Sequence, residues 1–240
     1  MRSGRETYWV VREDLARRYL SGEGIEIGAL AAPLRVPPGV RVRYVDRLDR
    51  DGLLAAEGPG LAASGVDPGA IVAVDAVADA ERLTPIADGS VDFVIAAHVL
   101  EHLEDPVLAL HNLARVTRPG GHVLIVLPDR RFTFDFRRPP TPLDHVLADH
   151  AEGPQRSRAQ HRLEWARDIE GLQGETARRR ADEFAAQDAR HHFHVWELGG
   201  FLELLAAVEL PWEIVHAQAY AKEFAVVLAL RGPRDARSRA

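Results

Sequence analysis

Two almost uninterrupted apolar runs constrain this chain most: residues 91–97 (Val-Asp-Phe-Val-Ile-Ala-Ala) and 122–127 (His-Val-Leu-Ile-Val-Leu). Strands that are apolar along their whole length are covered on both faces, which is the environment of a parallel sheet. One helix-patterned stretch, 106–118, lies between them. Asp105 is placed to cap it, and Pro106 stands at the first helical position, where a missing N–H does no harm. Val107, Leu110, Ala114 and Thr117 recur on one face with Leu113 beside them, and Pro119-Gly120-Gly121 ends the pattern. Strand, helix, strand is the unit of a parallel α/β sheet.

The alternation extends upstream. Trp9, Val10, Leu15, Tyr19 and Leu20 give a helix over 7–20 that ends near Gly22 and Gly24. Strands are expected over 24–29, 40–46 and 70–77, and a helix around 48–57. Pro33, Pro37, Pro38 and Gly39 exclude a long helix between the first two strands. Downstream the alternation breaks. Residues 130–194 are rich in Arg, His, Asp and Glu, with helical patterning at 142–151 and 158–188, and read as an inserted helical lid. A helix over 197–208 and strands at 212–219 and 223–230 close the chain. The expectation is one α/β domain over 1–240, a doubly wound sheet with helices on both faces, and a disordered polar tail at 232–240.

Composition narrows the function. With 46% hydrophobic residues, 240 residues bury a full core. A net charge of -6 argues against nucleic acid as the main partner. The absence of cysteine excludes disulfides, thiol nucleophiles and thiolate metal sites. The N-terminal residues carry mixed charge without an apolar secretion core, and no run approaches the roughly 20 apolar residues of a membrane helix. A soluble cytoplasmic protein without a membrane partner is the expectation, and a homodimer is left open.

Ligands of doubly wound sheets sit at the carboxyl ends of the strands, so the residues after each strand matter most. Glu26 and Gly28 end the first strand. A glycine there admits close backbone approach, while a glutamate is either an ordinary edge residue or a ligand contact. Asp46 ends the second strand about 20 residues on, where a carboxylate reaches both hydroxyls of an adenosine ribose; the alternative is a turn aspartate. Asp79, followed by Ala80 and Glu81, comes after the third strand and is placed for an adenine amino group, with Asp75 as competitor. His98, Glu101 and His102 follow the fourth strand. Either histidine suits a general base, or a capping and packing role.

Residues 88–121, DGSVDFVIAAHVLEHLEDPVLALHNLARVTRPGG, resemble the central block of class I methyltransferases of the type 11 group: DGSFD, then HVLEHL, then LKPGG. Glu26-x-Gly28, Asp46 and Asp79-Ala80 resemble that family's flanking motifs. The resemblance covers about residues 20–130 and the terminal strand pair. It implies a Rossmann-like seven-stranded sheet with the last strand antiparallel, and S-adenosylmethionine as methyl donor. It places Glu26, Gly28 and Ala29 by the methionine part, Asp46 by the ribose, Asp79 and Ala80 by the adenine, and Ala97 and His98 near the sulfonium. The sequence departs from the family at its Gly-x-Gly-x-Gly turn, where Leu30 and Ala32 stand.

Residues 128–150 resemble a subset of bacterial methyltransferases from sugar and antibiotic pathways. Arg131, Phe134 and Asp135 are candidate acceptor contacts, and Phe132, Phe134 and Phe136 alternate as an apolar wall or a core strand. Arg190-His191-His192-Phe193-His194-Val195-Trp196 closes the insertion. His192 and His194 are further candidate bases, and His191 and Trp196 candidate acceptor contacts. A metal site of these histidines with Asp144, Asp149 and His150 is a second reading, but no metal-ligand spacing is clear and none is expected. The function expected is methyl transfer to an amine or hydroxyl of a small molecule, leaning to an amino sugar. A nicotinamide oxidoreductase requires a Gly-x-Gly-x-x-Gly turn that this chain lacks. A non-catalytic scaffold draws support from the altered glycine turn.

Overall fold

The computed structural model describes residues 4–187 and 189–232. Helix α1 (Gly4–Tyr19) precedes β1 (Glu23–Ile27) and β2 (Arg41–Asp46); then come α2 (Arg50–Ala63), β3 (Ala76–Val77), β4 (Val91–Ala97), α3 (Pro106–Val116) and β5 (Thr117–Pro128). Helices α4 (Leu143–Glu152), α5 (Gln155–Glu164) and α6 (Gly174–Ala186) form the insertion. Helix α7 (Leu198–Ala207) and the hairpin β6 (Trp212–Tyr220) and β7 (Glu223–Leu230) complete the chain.

The seven strands form one sheet in the order β3-β2-β1-β4-β5-β7-β6. All neighbours pair parallel except β7, which runs antiparallel to both β5 and β6. The winding reverses between β1 and β4, and a doubly wound sheet opens its ligand cleft at such a point. Alternation along β4 shows why the sheet is covered twice. Val94 and Ala96 join a core with α3 and α7, while Phe93 and Ile95 join a second core with Leu15, Ala16 and Leu20 around α1. The apolar runs at 91–97 and 122–127 are therefore central strands, as their composition requires.

Several boundaries differ from the sequence reading. The third strand shrinks to two residues, because only Ala76 and Val77 pair with β2. It is the sheet edge, where short strands are favoured, and the Asp75 carboxylate accepts the Tyr44 N–H at 2.7 Å in place of a longer ladder. Helix α2 runs past Gly58 to Ala63 with Pro59 inside it, since proline's fixed φ is itself helical and only one N–H is lost. Thr117 leaves the α3 face and starts β5, its hydroxyl donating to Leu113 O at 2.7 Å. The stretch 158–188 is broken after Glu164 by a wide turn at Trp165–Ile169. Between β1 and β2 the chain is irregular, as the prolines demand. The tail expected at 232–240 lies, from residue 233 on, outside the described residues.

The insertion leaves and rejoins the sheet at one neck. Asp129 and Trp196 form a bridge, and the Arg130 N–H donates to Trp196 O at 3.1 Å. Its inner face is pinned to the segment after β4. The Phe193 and His194 N–H groups donate to Glu101 O at 2.7 and 3.2 Å, and Arg158 pairs with Glu104 through two 2.6 Å bonds. Arg138, buried, donates to His192 O at 2.7 Å and Phe193 O at 3.1 Å. Among the described residues no helix is long and apolar enough to cross a membrane.

Two glycines test the packing. A Cβ on Gly121 would meet Asp92 O at 2.5 Å and Thr117 Cγ2 at 2.7 Å, whereas one on Gly60, within α2, meets nothing within 4 Å. Gly121→Ala is expected to lower stability in urea unfolding by about 2 kcal/mol or more. Gly60→Ala is expected to raise it by about 0.5–1 kcal/mol. Equal effects in the two variants would contradict the close approach of β4 and β5.

Candidate functional site

A cavity of about 350 Å³ opens at the carboxyl ends of the strands. Gly28, Asp46, Asp79, Ala80, His98 and His102 line it, with Leu53, Val99 and Leu103 as apolar wall and Arg190 reaching in from the insertion. Two backbone departures shape its floor. Gly28 leaves β1 at φ +67, which glycine adopts freely, and His98 leaves β4 at φ 57, which a side-chain-bearing residue adopts only under constraint. Asp46 accepts the Arg47 N–H on Oδ1 at 2.7 Å, and Asp79 accepts the Glu81 N–H at 2.8 Å. Burial raises the Asp46 carboxyl above its usual value, against the lowering effect of that N–H.

Three residues predicted for the cofactor stand back from the wall. Ala29 is buried beside it, and Ala97 packs against the α1 core. Glu26 is buried, and both its oxygens accept the Leu34 N–H, at 3.0 and 3.1 Å. Burial drives its carboxyl up to about 7 against that hydrogen bond. Glu26 therefore holds the irregular loop onto β1, where a helix stands in the usual alternation.

His98 is the centre of a charge relay. Its Nε2 lies 3.0 Å from Glu223 Oε2, and its Nδ1 lies 3.4 Å from Glu101 Oε1. Glu223 in turn takes two bonds from Arg12, at 2.9 and 2.5 Å. Burial acts to lower the His98 pKa, but the two carboxylates outweigh it and lift it to about 9. A ring that holds its proton at neutral pH is not a base, which removes His98 from that role. His102 behaves oppositely. Burial lowers its pKa, with His192 adding to the effect and Glu101 opposing it, so the ring is neutral.

His192 Nδ1 lies 2.6 Å from Asp135 Oδ2, and Asp135 is fixed by Arg138 at 3.1 Å. The His192 ring meets His102 edge-on at 4.7 Å and Phe134 at 4.9 Å. Glu101 sits among these groups, 1% exposed, and neither of its oxygens has a hydrogen-bond partner among the described residues. Burial opposes its ionisation, but the protonated His98 beside it holds its pKa below the ordinary value. The result is a buried carboxylate with its acceptor capacity open, beside two imidazoles.

The other insertion candidates fall elsewhere. Trp196 is a core residue stacked on His194 at 5.5 Å and edge-on to Phe201. His194 is fully buried, and burial pushes its pKa to about 3, so it neither lines the cavity nor cycles a proton. His191 stacks on Trp165 at 5.0 Å inside the insertion, with its pKa lowered by burial to about 4. Arg131 is tied to Asp129 at 2.7 and 3.0 Å. Phe132, Phe134 and Phe136 lie on two short helical turns and are each more than half exposed, so they are no core strand. The predicted metal set is divided: His194 groups with His145 and His161, which Asp149 approaches, while His192 groups with Glu101 and His102. The sequence reading missed Arg12 and Glu223, whose pairing spans 211 residues and leaves no local signal.

Residues 62–125 match the family model described as a methyltransferase domain. An uncharacterized methyltransferase of Schizosaccharomyces pombe is 54% identical over 39 residues, 16% of this chain and 14% of that protein. An uncharacterized methyltransferase of a Mycobacterium strain (KMS) is 43% identical over 63 residues, 26% of this chain and 24% of that protein. The chain thus spans about a quarter or less of the curated relatives it matches. The solved complex of the Haloferax volcanii Trm112 methyltransferase activator with its methyltransferase aligns with a TM-score of 0.53 at 14% identity, covering 95% of this chain and 92% of that one. The architecture is the Rossmann-like methyltransferase fold, with its seven-stranded mixed sheet.

The His98 relay makes a pH signature. Its folded pKa is raised from 6.5 to about 9, so its contribution to stability is complete below 6.5 and is lost as pH rises through about 9. Imidazole NMR titration is expected to show one ring with a midpoint near that value, absent in His98→Gln. Urea midpoints across the same window are expected to fall less steeply in the variant. A titration midpoint at or below 6.5 for His98 would contradict the relay.

Proposed function

We propose that this chain is an S-adenosylmethionine-dependent methyltransferase whose acceptor is the amine or hydroxyl of a small molecule. The observation that carries the proposal is the cavity at the winding reversal, with Asp46 after β2, Asp79 after β3 and His98 and His102 after β4 on its wall. A carboxylate at the end of β2 suits a ribose diol, and one after β3 suits an adenine amino group. Gly28 leaves the backbone bare where the cofactor's chain crosses β1. The residues present fit the cofactor at these three points. At the methionine end they differ from the family pattern, since Glu26 is tied to Leu34.

When bound, S-adenosylmethionine supplies a methyl group activated on a cationic sulfur. The protein's part is to hold an acceptor in line, exclude water and take up its proton. Glu101 accepts an N–H or O–H of the acceptor. Its buried charge lacks a hydrogen-bonded partner until such a donor arrives, which favours an amino-bearing acceptor. His102, neutral and on the cavity wall, receives the proton. Asp135 fixes the His192 ring through Nδ1, leaving Nε2 as a second acceptor of the same proton. His98 stays protonated and keeps Glu101 ionised. The insertion serves as the lid, with Arg190 and His192 on its inner side. Phe134, edge-on to Trp165 at 5.6 Å, offers an aromatic face to a sugar ring. An amino sugar or related natural-product intermediate is the acceptor class this arrangement favours.

Calorimetry with S-adenosylhomocysteine is expected to show one site per chain. Asp46→Ala is expected to weaken it about tenfold or more, some 1.4 kcal/mol. His102→Gln is expected to leave that affinity unchanged and to lower kcat for methyl transfer to an amino sugar by about 10²-fold or more. Absence of any affinity in the wild-type chain supports the scaffold reading instead.

A further inference from the structure

A second cluster of imidazoles lies inside the insertion, apart from the cavity. His145, His161 and His194 each offer a ring nitrogen, and these atoms all lie within 4.8 Å of one another. His145 Nε2 stands 3.2 Å from His161 Nε2 and 3.1 Å from Asp149 Oδ2, and His161 Nε2 stands 3.8 Å from the same oxygen. Zinc–nitrogen bonds of about 2.0–2.1 Å in a tetrahedral site place neighbouring ligand atoms about 3.3–3.4 Å apart. Two of the cluster's separations, 3.1 and 3.2 Å, thus lie close to that spacing before any ion enters. We propose that His145, His161, His194 and Asp149 form a structural zinc site that staples the insertion together.

Hydrogen bonding alone leaves the cluster incomplete. His161 Nδ1 and His194 Nδ1 are buried with no hydrogen-bond partner among the described residues. His194 Nε2 faces Glu104 O at 3.4 Å, so Nδ1 is the nitrogen left for an ion while Nε2–H donates to the carbonyl. His161 Nδ1 has the Glu164 carboxylate near it at 3.8 Å, beyond hydrogen-bond reach. Asp149 is held in place by Ser157 Oγ at 2.7 Å and Arg156 Nη1 at 3.1 Å. Three imidazoles and one carboxylate suit a borderline-soft divalent ion.

The staple meets a need of the fold. Helices α4 and α5 and the strand-like 191–196 segment each supply ligands, and none of them is joined by a disulfide. Among the described residues, the apolar core that the insertion builds for itself has Ala166, Ala177 and Phe184 as its buried members. A metal crosslink would add to so small a core. None of the four ligands lines the cavity, so the site is closed and structural rather than catalytic.

The test uses the full chain, stripped with a chelator and titrated with Zn²⁺ alone against a chromophoric competitor. One equivalent per chain is expected, together with a rise in melting temperature and, with Co²⁺, the visible absorption of tetrahedral coordination. His161→Gln and His145→Gln are each expected to weaken uptake about 10–100-fold or more. Circular dichroism verifies that each variant is folded; His145, partly exposed, is the milder change. The His102→Gln/His192→Gln pair, in the other imidazole cluster, is expected to retain the equivalent. Absence of stoichiometric uptake by the wild type, or uptake lost in that pair and kept in His145→Gln, overturns the proposal.

Discussion

Arg12, Glu223, His98 and Glu101 form one line of alternating charge, buried at its two carboxylates, on which the rest of the structure depends. It ties the first helix to the last hairpin and both to the end of β4. Burying a carboxylate is costly unless it meets a cation or hydrogen-bond donors. Glu223 meets both, through the two Arg12 bonds and His98. Glu101 meets His98 only as an ion pair. The line is thus fully satisfied at Glu223 and incomplete at its second end, the buried Glu101.

The insertion completes the second end. Its neck at Asp129 and Trp196 and its bonds to Glu101 O bring His192 over Glu101, while Asp135 and Arg138 hold the ring. Three histidines of the 191–194 segment then face three environments. His191 enters the insertion's own core, His192 packs on His102 and Phe134, and His194 enters the buried imidazole cluster. The chain bends at Phe193, so His192 and His194, two residues apart, do not share one face as they would in a regular strand.

Much of the sheet was legible in the sequence, for a physical reason. β4 appears where its continuous apolar run ends, and α3 begins at the Asp105 cap, because burial and capping act on local residues. The acidic positions Asp46 and Asp79 reach the cavity because strand ends are fixed by topology. The failures share the opposite cause. The His-His-Phe-His run gives proximity along the chain and not direction in space. Phe132, Phe134 and Phe136 alternate like a strand, yet short turns carry them to the surface. Glu26 looks like a ligand contact until the proline-rich loop returns its Leu34 amide. Arg12 and Glu223 meet only after the whole sheet has formed.

The central claim is that the cavity at the winding reversal holds S-adenosylmethionine with its reactive end toward Glu101, His102 and His192. A crystal structure of the chain with S-adenosylhomocysteine tests it most directly. The account predicts the ribose hydroxyls on the Asp46 carboxylate, the adenine beside Asp79 and the sulfur on the His98–His102 side. A ligand bound elsewhere on the sheet, or one reversed so that its adenine meets His102, contradicts it.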